Sequence, residues 1–170
     1  MRYRLLIVCL LMAFYSSGRA EDSIPDMCME TVFRQMPDSV IPSLSENNRL
    51  DMIDFMNSQM KAEVTNLLGG RSEMLALTHD SICIRVSDGL TVRMLLLQPV
   101  EVIDNCEYVI CLAHTYGIDS LSYSTRIEMM TTDWHPISFT PSFSEVDEQR
   151  VKKMDLQTIL KWRGDILKKD

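Results

Sequence analysis

The chain reads as an α+β protein, with N-terminal helices packed on an antiparallel β-meander sheet of about four to six strands. Three observations predict this class. Apolar residues recur at helical steps through Leu50, Ile53, Met60, Val64 and Leu67, the spacing that places them on one face. From Ile82 to Val86, and again from Leu90 to Leu96, every second residue is apolar, which is the period of a half-buried strand. The turns between the strand-like runs are short, and short turns join antiparallel neighbours.

Taken in order, residues 1–20 precede the fold. Arg2 and Arg4 lead into the run Leu5 to Phe14, and Gly18 and Ala20 supply small side chains for a cut. This is the layout of a secretory signal. The run is shorter than the roughly 20 residues needed to span a bilayer, so cleavage near Ala20 is expected, with the product in the periplasm or secreted. Cys9 lies inside the apolar run, which argues against lipidation. No later segment is apolar for long enough to be a membrane span.

Residues 21–170 have the length of a single domain, with a charged tail from about residue 144. Without Arg2, Arg4 and Arg19 the count is 14 basic against 24 acidic side chains, a net charge of −10. A phosphate backbone requires a basic face, so nucleic acid is not an expected partner.

Helix is predicted first between Met27 and Met36, where Met29, Val32, Phe33 and Met36 form a stripe that ends at Pro37. The longer helix follows Pro42. Ser43 and Glu46 have capping-box spacing, Ser45 is a rival cap, and Gly69-Gly70 supplies the stop, so the rod spans about Leu44 to Leu68.

The alternating region opens after Met74. Ser87-Asp88-Gly89 separates Ile82, Ile84 and Val86 from Leu90, Val92, Met94 and Leu96. A three-residue loop with Gly89 at positive φ sets Val86 opposite Leu90, Ile84 opposite Val92 and Ile82 opposite Met94, with Cys83 beside Arg93 and Arg85 beside Thr91 on the wetter face. Asp104-Asn105 is the next turn. Tyr108, Ile110 and Leu112 then alternate with Val109, Cys111 and Ala113, and apolar residues on both faces imply a central strand covered on both sides. Gly117 breaks it. Leu121 to Met129 give a further strand or pair of strands ending near Trp134, Pro136 and Pro141 mark irregular chain, and the tail reads as a weakly amphipathic helix.

Four cysteines remain after processing: Cys28, Cys83, Cys106 and Cys111. An even number in an exported chain permits disulfides of unknown pairing, and buried free thiols are the alternative. The spacing fits no zinc site.

The ordered pattern Met36-Pro37-Asp38-Ser39-Val40-Ile41-Pro42, then Arg49-Leu50-Asp51-Met52-Ile53-Asp54-Phe55, resembles the family catalogued as domain of unknown function 3256. Leu77-Thr78, Met94-Leu95-Leu96-Leu97, a Val-Ile strand, Asp119-Ser120 and Asp133-Trp134 fit the same pattern, which covers roughly residues 36 to 143. The resemblance implies a small exported protein of Gram-negative anaerobes, and it carries over no activity, substrate or catalytic residue. Met129-Met130 stands where that pattern has an aromatic pair, and the tail stops early.

The chemistry-bearing residues point to two readings. A non-catalytic binding or interaction module would use Ser120, Tyr123, Trp134 and His135, which mix aromatic and polar character as contact surfaces do, to hold a periplasmic protein segment or a small apolar ligand. The alternative is a periplasmic hydrolase or metal-dependent enzyme built on His114, Asp119, Ser120 and His135. Ser120 lacks the Gly-x-Ser-x-Gly elbow, no phosphate-binding glycine loop is present, and His79-Asp80 reads as a turn. No cofactor is expected, and the binding module ranks first.

Overall fold

A computed structural model describes residues 27–117 and 123–154. The expected signal segment and the tail beyond Met154 lie outside them. The elements are α1 (Met29–Arg34), α2 (Glu46–Asn57), β1 (Ala62–Thr65), β2 (Arg71–Leu77), β3 (Ser81–Ser87), β4 (Leu90–Leu97), β5 (Val109–Gly117), β6 (Tyr123–Thr131), β7 (Pro136–Ile137) and α3 (Glu145–Lys152). The strands form one antiparallel sheet in sequence order, β1 to β7, one strand more than the upper limit expected. The extra strands are β1, inside the expected helix, and β7, inside the chain expected to be irregular.

On the helix-covered face, Ile82, Ile84, Val92, Met94, Ile110 and Leu112 meet Met29, Phe33, Met52 and Ile53 in one core. α1 is short and buries the predicted residues Met29, Val32 and Phe33. α2 starts at Ser45, the rival cap: its Oγ accepts from Asn48 N at 3.2 Å while the Asn48 side chain accepts from Ser45 N. The reciprocal pair satisfies two amides that would otherwise be orphaned at the helix start.

The helix stops at Asn57 and not at Gly69-Gly70. Gln59 takes φ 57°, Met60 N donates to Phe55 O at 2.8 Å and Gln59 N to Met56 O at 3.0 Å. These bonds close a Schellman motif with glutamine in the left-handed position. Gly69, at φ 77°, instead serves the β1–β2 turn, where Asn66 Oδ1 accepts from Leu68 N and Gly70 N at 3.0 and 3.1 Å. Met60 and Leu67 consequently leave the core, while Val64 enters it from β1.

The hairpin register agrees with the alternation: Ile82 faces Met94, Cys83 faces Arg93, Ile84 faces Val92 and Arg85 faces Thr91. At the tip the difference is local. Ser87 pairs with Leu90 after a register shift, so the loop is Asp88-Gly89 with Val86 as an extra residue, and Gly89 takes no positive φ. The shift accommodates one residue without turning the rest of the strand over. The turn at Asp104-Asn105 has φ of 48° and 63° between the bridged residues Ile103 and Cys106, the left-handed pair of a type I′ turn.

β5 is covered on both faces, as its two apolar sets require. Its second cover is a smaller core in which Leu97, Val109, Cys111 and Met129 meet Ile103, Phe143 and Met154. Pro99 bridges Phe143, and α3 is tied to the β2–β3 turn by Arg150 and Asp80 at 2.7 Å. The upper part of this face, around Cys83, Arg93 and Ile127, has less cover.

Candidate functional site

The two-faced sheet ends, beyond β4 and β7, in two loops that lie side by side. Val100 N donates to Ser142 O at 2.8 Å, and together with the Pro99–Phe143 bridge this fixes their spacing. Above that base opens a cleft of about 400 Å³, lined by Glu101, Val102, Asp104, Phe139, Thr140 and Ser142 among others. The volume is within the usual range of ligand pockets. Val102 is 66% exposed and Phe139 58% exposed, so apolar side chains stand in water next to two carboxylates. Asp104 lines the cleft from the first position of the tight Asp104-Asn105 turn.

A second cleft, of about 320 Å³, lies where α1, the end of α2 and the end of β2 meet, and includes Cys28, Glu30, Met56, Asn57, Leu77 and His79. Its apolar members Met56 and Leu77 are half-buried rim residues of the main core. The first cleft is the one with large apolar side chains left in solvent.

The residues singled out by sequence are dispersed. Asp119 and Ser120 lie outside the described residues. Tyr123 is half-buried at the start of β6, opposite Gly117. His135 is exposed in the β6–β7 turn, where its backbone N–H donates to Thr131 Oγ1 at 3.1 Å. Trp134 corrects the expected contact surface: it is 8% exposed, and its Nε1 donates to Val32 O at 3.2 Å across the core. Its φ of 64° is unfavourable for a bulky residue, and burial with that hydrogen bond holds it there. The indole closes the core edge and offers nothing to a ligand.

His114 lies on the helix side of β5, opposite Arg126 and stacked on Tyr116 with ring centres 6.2 Å apart. Its Nδ1 is buried without a hydrogen bond, 3.9 Å from Glu128 Oε2. Burial pulls the imidazole below its ordinary range; Glu128 opposes this and Arg126 adds to it. His135 bonds to Thr131, which pairs with Val109. Five residues of strand therefore separate it from His114, about 17 Å at the usual rise. The two histidines of the hydrolase reading do not converge. Among the described residues no three His, Cys, Asp or Glu side chains gather closely enough for a metal ion.

Cys28, Cys83, Cys106 and Cys111 are free thiols. Burial pushes the Cys111 thiol up to about 12, and it raises Cys83 against the opposing pull of Arg93. No described helix is long and apolar enough to cross a membrane.

Sequence reasoning missed the cleft residues. The only signal was the placement of Val100 and Val102 between Pro99 and the Asp104-Asn105 turn, apolar residues in a stretch too short to form a strand.

Fold and clefts together define an α+β protein whose meander sheet carries one large helix-covered core and one smaller core beneath its loops. The chain belongs to the family described as Protein of unknown function (DUF3256), whose profile matches residues 23–161. The match extends beyond the stretch that carries the resemblance in sequence. Comparison with curated proteins returns no match. Among solved structures, one described as "Structure of a domain of an uncharacterized protein from Porphyromonas gingivalis W83" is similar, with 26% identity and a TM-score of 0.50. The similarity covers 64% of this chain and 52% of that one, so this chain spans about half of its length.

Proposed function

We propose that this is a non-catalytic binding module, exported by residues 1–20, whose cleft between residues 101–104 and 139–142 takes a protein segment carrying an apolar side chain beside a positive charge. The observation that carries the reading is the exposure of Val102 and Phe139 next to Glu101 and Asp104 in a preformed recess. Large apolar side chains in solvent lose contact with water favourably when covered. The carboxylates select the sign of the flanking charge and disfavour an acidic occupant. A cleft based on backbone bonds also limits the ordering cost of binding.

The test is a titration of isotope-labelled mature protein with the capped tripeptide Lys-Phe-Lys, and with Glu-Phe-Glu as control, followed by amide shifts. The basic peptide is expected to move Glu101 to Asp104 and Thr140 to Ser142, and F139S to weaken it by about tenfold or more. Equal response to both peptides, or shifts confined to the helix-covered face, would reject the reading. N-terminal sequencing of the protein from fractionated cells tests the export, with a start near Glu21 expected.

A further inference from the structure

The two edges of the sheet are finished differently. β1 is covered by the start of α2 and the chain before it: Asn48 Nδ2 donates to Thr65 O at 3.1 Å, and Leu67 N to Ser43 O at 2.9 Å. At the other edge β7 pairs only with Met129 and Met130. Among the described residues nothing pairs with β6 from Ser124 to Glu128 on the side away from β5.

Which groups this edge presents follows from the ladder. Thr131 N donates toward His135 O, away from β5, and N–H and C=O directions alternate along a strand. The amides and carbonyls of Thr125 and Ile127 therefore point outward, while Ser124 and Arg126 bond to β5. The register with β5 runs unbroken from Val109–Thr131 to Gly117–Tyr123. The segment has no proline, lysine or bulge, its two charges, Arg126 and Glu128, are paired with each other at 2.7 Å, and Ile127 is 38% exposed.

We propose that this edge pairs with the same edge of a second copy, antiparallel and centred on Thr125. Opposite residues of an antiparallel pair share a face, so a two-fold axis at Thr125 sets Ile127 of one copy opposite Tyr123 of the other, and Arg126 opposite Ser124. One face thus matches aromatic with β-branched aliphatic, a favourable cross-strand pair, and the other places a cation beside a hydroxyl without like-charge repulsion. Arg126 keeps Glu128 of its own chain at 2.7 Å. Centring on Arg126 would set two guanidinium groups face to face, and centring on Ile127 would require Met129, already paired with β7. Of these three registers, charge and available edge favour the one centred on Thr125. The seven-stranded sheets then join into one, a surface separate from the loop cleft.

The experiment is sedimentation of the mature chain over a concentration series, with amide exchange measured on dilute and concentrated samples. A dimer is expected whose association slows exchange at Thr125 and Ile127 in step with concentration and leaves Ser124 and Arg126 unchanged. I127K, which adds an edge charge without touching the β5 ladder, should weaken association by about tenfold or more. T125P removes an outward donor and should do the same, with circular dichroism confirming the fold of both. A monomer throughout the series overturns the proposal. So does a dimer in which the exchange of Thr125 and Ile127 does not depend on concentration, since it uses another surface.

Discussion

Arg49 shows how much one side chain can contribute when it is buried for a purpose. Its side chain is 3% exposed on α2, yet Nη1 reaches Asp38 at 2.6 Å and Leu44 O at 3.0 Å, and Nη2 reaches Met36 O at 2.5 Å. The guanidinium satisfies carbonyls of the α1–α2 connection that no helix or strand pairs. R49A leaves them buried and empty and should cost roughly 2–4 kcal/mol in denaturant unfolding; a loss below about 0.5 kcal/mol would show that water replaces it. Sequence offered no sign of this, because a lone arginine among polar helix residues is normally solvated. His114 yields a pH dependence. Its folded pKa is held below the unfolded value of about 6.5, so the unfolded chain binds the proton first as pH falls. Stability should therefore drop as pH falls through about 6.5 and level off once the folded imidazole also protonates. H114Q should flatten that drop in unfolding midpoints measured between about pH 7.5 and 5; an unchanged slope would assign the effect to other groups.

At the scale of elements, what a local signal can reveal depends on whether the chain uses the expected residue. The hairpin register from Ile82–Met94 to Arg85–Thr91 was legible because alternation and pairing obey the same period of two, although its tip closes as Asp88-Gly89 and not as Ser87-Asp88-Gly89; the turn at Asp104-Asn105 was legible because both residues tolerate left-handed φ. The end of α2 was hidden for the opposite reason. Gln59 occupies the position where glycine is usual, so the apolar spacing ran on through Met60 and Val64 to Gly69-Gly70. The strained position makes a prediction. Q59G relieves the left-handed penalty while keeping both Schellman bonds, and should stabilise the protein by about 0.5–1 kcal/mol. Thermal unfolding measures it; a destabilised variant would mean that the glutamine side chain, not the backbone, holds this corner.

Across the whole molecule, the class of fold was legible and the site was not. Helical and strand periods report which face of an element is buried, so they specify one layer over another, here α1 and α2 on β1 to β5. Apolar residues on both faces of β5 also revealed that a second cover exists, but not that Ile103, Phe143 and Met154 supply it. Those residues come from loops and a helix end, where spacing carries no period. Trp134 looked like a contact residue because its type is common at interfaces, and only the fold shows its indole bonded to Val32. The cleft likewise exists only after Val100 meets Ser142, residues 42 positions apart in the chain. The most direct test of the claim that this cleft is the binding surface is photocrosslinking in cells, with a photoreactive side chain placed at Phe139 and, as control, at the exposed Asp51 of α2 on the helix-covered side. One discrete crosslinked partner is expected from position 139, lost when Glu101 and Asp104 are both changed to lysine, and none from position 51. Crosslinking from both positions alike, or from 51 alone, would contradict the claim.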